Sequence, residues 1–463
     1  MAAYDLVVVG AGPGGYVAAL RAAQLGLETA VVEADRPGGV CGNWGCIPSK
    51  ALLKDAELVA DVRAAQKWGL LAGTVTPDFG KAVDRSRGVA DQQGKGVAFL
   101  FKKHGVAYHE GRGRLVRGGV AVSANGAQPV RLDARHVLLA TGSGERLLPG
   151  LDVDGRVVQT SREALADRTL PASVVVIGGG AVGVEFAYVY ASFGAKVTVL
   201  EMAPTLLPGM DEDLGKELGR AFAKQGIDVR VGHRYERLKR DEAGATVHVT
   251  GPGGPASVRA ERVLLAVGRV PLSKDLGLED VGVGTERGFV TVDAAMRTSV
   301  TGVWAIGDLV GPLLLAHAAS EQGVLAVEAM AGHEGAAGFD PARVPLCVYC
   351  QPEAAAVGLT EAQARASGRA VKVGKFPFRA LGKAMATGHT DGFVKVVADE
   401  KYGQVLGVHM LGHGVTELIA EAALALTLES TTEELVATVH AHPTLAEALR
   451  EAALAAEGRA LNV

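Results

Sequence analysis

Two cysteines in a glycine-rich stretch near the start of the chain have the types and spacing of a redox-active pair. Cys41 and Cys46 are two of only four cysteines in 463 residues, and glycines stand at positions 38, 39, 42 and 45. Glycine lets the backbone turn tightly and approach another group closely. Pro48 suits the first turn of a helix, and a thiol at a helix N-terminus is favoured as the thiolate. The stretch predicts a reactive disulfide loop, with two unrelated buried cysteines as the alternative if the loop stood alone.

A dinucleotide-binding pattern precedes this loop. An apolar strand is predicted over 4–9, a helix over 16–25, and a second strand over 29–33 that ends in an acid. The turn between the first strand and the helix has the form G-x-G-x-x-G, which permits close approach to a pyrophosphate, and the terminal carboxylate can meet a ribose hydroxyl. The candidate residues are Gly10, Gly12, Gly14, Gly15 and Glu33.

The same pattern recurs 168 positions later. The matching glycines and terminal acid are Gly178, Gly180, Gly183, Gly194 and Glu201. The closing strands of the two halves also match in type and run into Thr141-Gly142 and Gly268. Chance alignment of so many positions is implausible, so the chain is predicted to carry two similar dinucleotide-binding domains in an α/β fold.

Glu201 indicates which dinucleotide the second domain binds. A carboxylate at this position accepts from a free 2′-hydroxyl and repels a 2′-phosphate. Residues 202–207 contain no arginine that would neutralise such a phosphate. The second site is therefore predicted to prefer NAD over NADP, and a redox cofactor in the first site would lie near the cysteines.

Composition excludes several classes of protein. A net charge of -4, without a basic run, argues against nucleic-acid binding. The start of the chain lacks the basic region of a secretory signal, and no apolar run reaches the ~18 residues that span a bilayer. Four cysteines are too few for a disulfide scaffold. These observations predict a soluble, cytoplasmic protein that binds neither nucleic acid nor membrane.

Residues 39–50, GVCGNWGCIPSK, resemble the active-site motif of the class I pyridine nucleotide–disulfide oxidoreductases. Within that family they are most similar to the members that oxidise protein-bound dihydrolipoyl groups and reduce NAD+. The resemblance covers essentially the whole chain. It implies two Rossmann-like domains and a C-terminal α+β dimerisation domain. The bounds that we expect are 1–149 for the FAD domain, 150–270 for the NAD domain, 271–341 for a central domain that completes the FAD site, and 342–463 for the interface domain.

The resemblance also assigns roles to individual positions. Cys46 would face the flavin, Cys41 would exchange with substrate, and Lys50 and Glu185 would form an ion pair beside the flavin. From the residues alone, a solvated glutamate remains the alternative for Glu185. The implied FAD residues are Gly10, Gly12, Gly14, Gly15, Glu33, Lys50, Thr141, Gly142, Asp308, Ala316 and His317. The implied NAD residues are Gly178, Gly180, Gly183, Glu201 and Gly268.

The segment 440–447 supplies the base that thiol–disulfide exchange requires. Histidine titrates in the right range, and Glu447 could orient an imidazole as the acid of a triad does. The family pattern His-Pro-x-x-x-Glu selects His442 over His440. We expect Pro443 to start the last helix. In the family this pair serves the partner subunit's disulfide, which implies a homodimer.

The resemblance implies the substrate, and other classes of flavoprotein are the alternatives to it. The implied partners are the dihydrolipoyl domain of an acyltransferase or of a glycine-cleavage H protein, and a second copy of the chain. A mercuric reductase would carry a C-terminal cysteine pair, whereas this sequence ends in GRALNV. A glutathione-type enzyme would prefer NADP, which Glu201 disfavours. A flavoprotein that only scaffolds an assembly would need none of the redox residues. Cys347 and Cys350 lack a second pair at zinc spacing, so we predict structural cysteines and no metal site.

Overall fold

The computed structural model describes residues 3–124, 128–333 and 338–462. The chain divides into two compact units, one formed by 1–52, 81–146 and 268–341, the other by 53–80, 147–267 and 342–463. From the sequence, residues 51–135 are interpreted as an insertion within the first domain, but residues 53–80 belong to the second unit. The sequence of residues 332–341, GHEGAAGFDP, is typical of a linker, and residues 334–337 of it lie outside the described part. No helix within the described residues is long and apolar enough to cross a membrane.

A mostly parallel sheet forms the centre of the first unit. Its first strand, Ala3–Val9, pairs in parallel with Thr29–Glu33 on one side and with Val130–Leu139 on the other. Leu6, Val7 and Val8 are fully buried, as expected for a strand covered on both faces. The remaining strands of this sheet are Ala107–Glu110, Arg112–Val116, Gly119–Ser123 and Val303–Ala305.

Two long helices start at Cys46 and Phe79. The first start agrees with the predicted place of Pro48 in the first turn of a helix. Close backbone contact joins two others: a Cβ on Gly323 would lie 2.7 Å from the carbonyl oxygen of Gly14. The helices of the first unit are Pro13–Gln24, Gly39–Trp44, Leu278–Val281 and Ala316–Met330, while Cys46–Lys67 and Phe79–Lys103 lie only partly in it. Short strand pairs are Ser143–Glu145 with Arg269–Pro271 and Thr285–Glu286 with Phe289–Val290.

The second unit contains the predicted repeat of the dinucleotide-binding pattern. Ser173–Ile177 and Lys196–Leu200 are strands at the predicted positions, and the helix between them ends at Gly194 in the left-handed conformation. The parallel sheet has the order Asp228–Arg230, Lys196–Leu200, Ser173–Ile177, Arg262–Leu265, Val158–Gln159. Its helices are Ser161–Ala164, Ala181–Phe193 and Glu212–Lys224, and a three-stranded meander follows at Arg234–Asp241, Gly244–Gly251 and Gly254–Ala260.

An antiparallel sheet covered by helices forms the C-terminal part of the second unit. Its order is Leu346–Val348, Glu353–Gly358, Val405–Gly412, Phe393–Asp399, Val371–Pro377. The helices are Glu361–Ala366, Gly382–Thr387, Val415–Thr427, Thr432–Ala437 and Glu447–Ala456. Ile419 and Ala452, on two of these helices, are buried in the core with Val394 and Val408 of the sheet. The predicted α/β class with a C-terminal α+β domain is confirmed.

The start of the last helix was predicted wrongly. The helix begins at Glu447, not at Pro443. The hydroxyl of Thr444 donates to the carbonyl oxygen of Ala441, and the Thr444 N–H donates to the Glu447 carboxylate. These bonds hold residues 443–446 in a turn ahead of the helix.

Candidate active site

In the first glycine loop, two glycines pack against backbone and the glycine between them faces open space. Gly10 has φ +107°, and a Cβ there would lie 2.3 Å from the carbonyl oxygen of Ala140. A Cβ on Gly15 would lie 1.9 Å from the carbonyl oxygen of Gly10, whereas a Cβ on Gly12 would meet no atom within 4 Å. The outer glycines therefore permit the packing, and the middle one faces the space that a pyrophosphate requires. The loop fits a dinucleotide.

The second glycine loop repeats this geometry. Gly178 has φ +113°, and a Cβ there would lie 2.2 Å from the carbonyl oxygen of Ala266. A Cβ on Gly183 would lie 1.9 Å from the carbonyl oxygen of Gly178, and a Cβ on Gly180 would again meet no atom within 4 Å. The second loop therefore fits a dinucleotide for the same reasons.

Two glutamates brace the loops from the ends of the second strands. Glu33 accepts hydrogen bonds from the backbone N–H of Ala11 (2.7 Å) and of Asp35 (2.8 Å). Glu201 accepts from the backbone N–H of Gly179 and of Ala203, both at 2.6 Å. The sequence suggested only a ribose contact for these acids. The structure adds the bracing role, and each carboxylate keeps lone pairs for a hydroxyl. Burial raises the pKa of Glu33, and the backbone bonds oppose that shift.

Asp308 lies in a short 3-10 turn, Gly307–Leu309, after the strand Val303–Ala305. The hydroxyl of Ser143 donates to its Oδ2, and Nε of Arg269 donates to Oγ of Ser143 at 2.7 Å. Burial raises the pKa of Asp308, while Ser143 and Arg269 act against that rise. The N–H of Gly307 donates to the buried side chain of Gln322 at 2.8 Å. Sequence reasoning missed Ser143, Arg269 and Gln322, because only the fold brings them to this turn.

Other candidate residues of the first unit lie at turns and helix starts. Thr141 Oγ1 donates to the carbonyl oxygen of Leu272 (2.9 Å), and Gly142, at φ +71°, accepts from the N–H of Leu272. Ala316 and His317 begin the helix Ala316–Met330. Gly268, predicted for the second dinucleotide, also belongs to the first unit, where its carbonyl oxygen accepts from the N–H of Arg146.

Cys41 and Cys46 form a disulfide with a Cα–Cα distance of 4.7 Å. Cys41 lies in the helix Gly39–Trp44, and Cys46 is the first residue of Cys46–Lys67, with Lys50 one turn further on. The N–H of Gly38 donates to the carbonyl oxygen of Ala11 at 2.9 Å. A Cβ on Gly39 would lie 2.6 Å from Cα of Gly12. The disulfide segment therefore rests directly on the first glycine loop.

The helix Phe79–Lys103 anchors both sides of the disulfide. Ser86 donates to the carbonyl oxygen of Pro48 (2.7 Å), and Arg85 donates to that of Ala51 (2.9 Å). Arg87 donates to the carbonyl oxygen of Asn43 at 2.5 Å. No spacing in the sequence pointed to these three consecutive residues. A serine and two arginines in one helical turn resemble an ordinary polar surface.

Glu185 is buried rather than solvated. It lies on the helix Ala181–Phe193, only 5% exposed, and its Oε1 accepts from the backbone N–H of Tyr349 at 3.0 Å. A buried carboxylate requires partners. This position therefore belongs to a built polar site, contrary to the alternative of a surface glutamate.

His442 and Glu447 form a hydrogen-bonded pair in the second unit. Nδ1 of His442 lies 3.0 Å from Oε1 of Glu447, while 77% of the histidine side chain is exposed. Burial tends to raise the pKa of Glu447, but the Thr444 N–H and His442 outweigh it and lower that pKa. His440 differs: its side chain is 5% exposed, and its two nitrogens contact Thr438 and Glu421. His442 presents an oriented imidazole to the surroundings, and His440 does not.

The other two cysteines form no disulfide in the described structure. Cys350 is fully buried, and its Sγ lies 3.5 Å from the carbonyl oxygen of Pro352. Cys347 is partly buried in the strand Leu346–Val348. Across residues 3–124, 128–333 and 338–462, no group of three or more His, Cys, Asp or Glu side chains could hold a metal ion.

Comparison with known proteins agrees with this geometry. The protein named dihydrolipoyl dehydrogenase from Mycobacterium tuberculosis is 45% identical to this chain, with 100% of both chains covered. The protein of the same name from Bacillus subtilis is 44% identical to this chain, with 99% of both covered. The structure of LpdA from Mycobacterium tuberculosis superimposes with a TM-score of 0.89, at 30% identity, covering 98% of this chain and 99% of that one. The flavoprotein disulfide reductase RclA from Escherichia coli gives 0.86, at 27% identity, with 97% and 99% covered.

The family assignment covers both parts of the chain. Residues 344–453 match the dimerisation domain of the pyridine nucleotide-disulphide oxidoreductases, which supports the predicted homodimer. Residues 4–323 match the description "Pyridine nucleotide-disulphide oxidoreductase" itself, whose cofactors are FAD and NAD. With two dinucleotide loops and a disulfide seated on the first, this chain belongs to the pyridine nucleotide-disulphide oxidoreductase family.

Proposed function

We propose that this protein oxidises protein-bound dihydrolipoyl groups to lipoyl disulfides and reduces NAD+ to NADH. The observation that carries the proposal is the Cys41–Cys46 disulfide resting on the first glycine loop through Gly38 and Gly39. The relatives named dihydrolipoyl dehydrogenase, 43–46% identical over nearly their whole length, support the choice of substrate.

FAD is assigned to the first site and NAD to the second. Bound FAD supplies two-electron chemistry that connects a dithiol to nicotinamide. Glu33 and the loop at 10–15 would hold its ADP part, and Asp308, fixed through Ser143, would hold a hydroxyl of the ribityl chain. Further contacts are proposed for Gly14, Lys50, Thr141, Gly142, Ala316 and His317. In the second site the proposed residues are Gly178, Gly180, Gly183, Glu201 and Gly268.

The two cysteines have different tasks in the proposed reaction. A dihydrolipoyl thiolate attacks Cys41, which breaks the protein disulfide and leaves Cys46 as the thiolate. The second substrate thiol then displaces Cys41, so lipoyl disulfide leaves and both cysteines are reduced. Cys46, at the N-terminus of a helix, is the better stabilised thiolate. Lys50 and Glu185 are proposed as the ion pair beside the flavin.

His442 is the proposed base for this exchange. Its Nε2 takes the proton from the attacking thiol, while Glu447 holds Nδ1 and stabilises the imidazolium. The lowered pKa of Glu447 keeps that carboxylate ionised near neutral pH. In the proposed homodimer this pair serves the disulfide of the partner subunit.

The domain bounds stay part of the proposal: 1–149 for FAD, 150–270 for NAD, 271–341 for the central domain and 342–463 for the interface. The proposed carriers of the substrate are the dihydrolipoyl domain of an acyltransferase or of a glycine-cleavage H protein. A cytoplasmic location also stays a prediction, supported by the low cysteine number.

An assay with paired substrates tests the proposed function. Purified protein is expected to be yellow, to reduce NAD+ with dihydrolipoamide, and to show no comparable turnover of glutathione disulfide with NADPH. A colourless protein, or a faster reaction with glutathione disulfide and NADPH, would overturn the proposal.

Replacing Ser143 by alanine is expected to accelerate flavin loss. The change removes the hydrogen bond that orients Asp308 and leaves Nε of Arg269 without its 2.7 Å acceptor. Loss of one such bond at a charged group corresponds to about 10-fold faster release of FAD. Fluorescence of released flavin in urea measures it. Ser123→Ala, on an exposed strand end, is the control. Equal release from both variants would show that Ser143 does not support the flavin.

Replacing Glu201 by glutamine is expected to reduce the preference for NAD+ over NADP+. The amide removes the charge that repels a 2′-phosphate and the strong acceptor for a ribose hydroxyl. We expect the ratio of kcat/KM values to fall about 10-fold. Glu33→Gln, at the equivalent position of the first loop, is the matched control and should leave the ratio unchanged. The assignment fails if both variants change the ratio equally.

A further inference from the structure

Trp44, between the two cysteines, holds the Cys41 segment by contacts that involve neither sulfur. Its Nε1–H donates to Oδ2 of Asp35 at 2.9 Å. The guanidinium carbon of Arg87 lies 4.3 Å from the centre of a Trp44 ring, and that of Arg36 lies at 5.8 Å. Such cation–π contacts hold the indole plane as well as its edge. The ring is thus held from two directions.

These partners belong to the parts of the structure that frame the first dinucleotide site. Asp35 follows Glu33 and donates its own N–H to that carboxylate at 2.8 Å. Arg87 also donates to the backbone carbonyl of Asn43 at 2.5 Å. The side chain of Asn43 is buried and donates to the carbonyl oxygens of Pro37 and Gly39. Trp44 therefore joins the short helix Gly39–Trp44 to the turn at Asp35, which follows Glu33, and to the helix Phe79–Lys103.

The anchoring matters after the disulfide opens, because the backbone around Cys41 is rich in glycine. Glycines stand at 38, 39, 42 and 45, and Gly38 and Gly39 have φ of +97° and +57°. Glycine-rich chain moves at little steric cost. When the S–S bond is reduced, the two helices remain joined through the backbone at Gly45, but the sulfurs are no longer bonded to each other. Non-covalent contacts then determine how close Cys41 stays to Cys46 within this short segment.

We propose that Trp44 is a positioning residue that maintains the effective concentration of Cys41 beside Cys46 in the reduced enzyme. The anchor keeps reclosure of the disulfide fast, because it preserves the geometry that the oxidised state already has. This inference rests on the proposed function, in which Cys41–Cys46 opens and closes in every turnover. Trp44 touches neither substrate nor cofactor in this account and acts through the position of Cys41.

The equilibrium with glutathione measures this effect without turnover. Two glutathione thiols reduce the Cys41–Cys46 bond: two electrons pass to its sulfurs, the thiol protons end on the cysteines, and glutathione disulfide forms. The ratio of oxidised to reduced protein, from alkylation and mass spectrometry of the denatured FAD-loaded enzyme, gives the effective concentration of the pair. We expect Trp44→Phe to lower it about 3-fold and Trp44→Ala at least about 10-fold.

Control variants separate positioning from general damage. Trp68→Phe makes the same substitution at an exposed tryptophan of the other unit and should leave the equilibrium unchanged. Asp35→Ala should lower the effective concentration as much as Trp44→Phe does, because both changes remove the same hydrogen bond. The double variant should therefore show no further decrease. If Trp44→Ala does not fold, this double-mutant cycle still decides the question.

The results separate the two levels of the proposal. A wild-type disulfide that neither dihydrolipoamide nor glutathione can open would overturn the proposed function and this inference together. A reversible wild-type disulfide with unchanged values in Trp44→Phe and in the Asp35→Ala cycle would overturn the inference alone. Lower values that follow the order phenylalanine then alanine would support it.

Discussion

Replacement of Cys46 by serine is expected to abolish NAD+-linked oxidation of dihydrolipoamide while the protein keeps its flavin. A serine hydroxyl is neither a competent leaving group nor a stable anion in thiol–disulfide exchange, so turnover should fall at least about 10³-fold. Cys46 is the first residue of the helix Cys46–Lys67, and its side chain is not among the backbone groups that form the glycine loop. FAD content and NADH oxidation by an artificial acceptor should therefore remain.

Two comparisons make the Cys46 result specific. Cys347→Ser changes a cysteine that lies outside the disulfide, and should retain lipoamide turnover. Cys41→Ser should also abolish lipoamide turnover, but it leaves the Cys46 thiolate in place, so its visible spectrum should differ from that of Cys46→Ser. Undiminished dihydrolipoamide oxidation by Cys46→Ser would contradict the assignment of the redox pair.

Replacement of His442 by alanine should slow dihydrolipoamide oxidation by about 10²- to 10³-fold, the range that a positioned acid–base group contributes. NADH oxidation by an artificial acceptor needs no thiol proton transfer and should change less than about 2-fold. Glu447→Gln retains an acceptor for Nδ1 but removes the charge that stabilises the imidazolium, so we expect an intermediate loss of about 10-fold. Steady-state rates with both acceptors give this comparison.

His440 is the informative control for His442. Its nitrogens are engaged by Glu421 and Thr438, and its side chain is 5% exposed. His440→Gln should therefore keep the exchange rate within a few-fold of the wild-type rate. Equal losses with both acceptors in His442→Ala, or a larger loss in His440→Gln, would place the base elsewhere.

The parts of the fold that were predictable are those determined by local backbone requirements. The strand Thr29–Glu33 and the strand Ser173–Ile177 lie at their predicted positions. Gly15 and Gly183 are required because a Cβ would lie 1.9 Å from a carbonyl oxygen within the same turn. Such constraints act between residues a few positions apart, so they leave a readable pattern in a single sequence.

The parts that were missed depend on contacts between distant segments. Ser143 reaches Asp308 across 165 positions, and Arg269 reaches Ser143 across 126. Neither residue stands in a pattern that predicts its partner. His442 was selected over His440 only through the family resemblance. The physical difference between them, an exposed imidazole against a buried one, exists only in the folded chain.

Glu185 and Pro443 show where local reasoning was incomplete. From its neighbours Glu185 could be a surface residue, but it is buried and accepts a hydrogen bond from the backbone N–H of Tyr349, 164 positions away. Pro443 could start a helix by its fixed φ, but Thr444 and Glu447 bond to each other and delay the helix to Glu447. In both places a side chain satisfied a backbone group, which residue type alone does not reveal.

The most direct test of the proposed electron path, from the substrate dithiol through the cysteines to NAD+, is the chemical state of Cys41 and Cys46 during one half of the reaction. The FAD-loaded enzyme is mixed anaerobically with dihydrolipoamide without NAD+, alkylated with iodoacetamide, and mapped by mass spectrometry. Alkylation is expected at both cysteines, faster at Cys41, and addition of excess NAD+ before the reagent should restore the disulfide and protect both. Cysteines that stay protected without NAD+, or that NAD+ cannot restore to the disulfide, would contradict the proposed electron path.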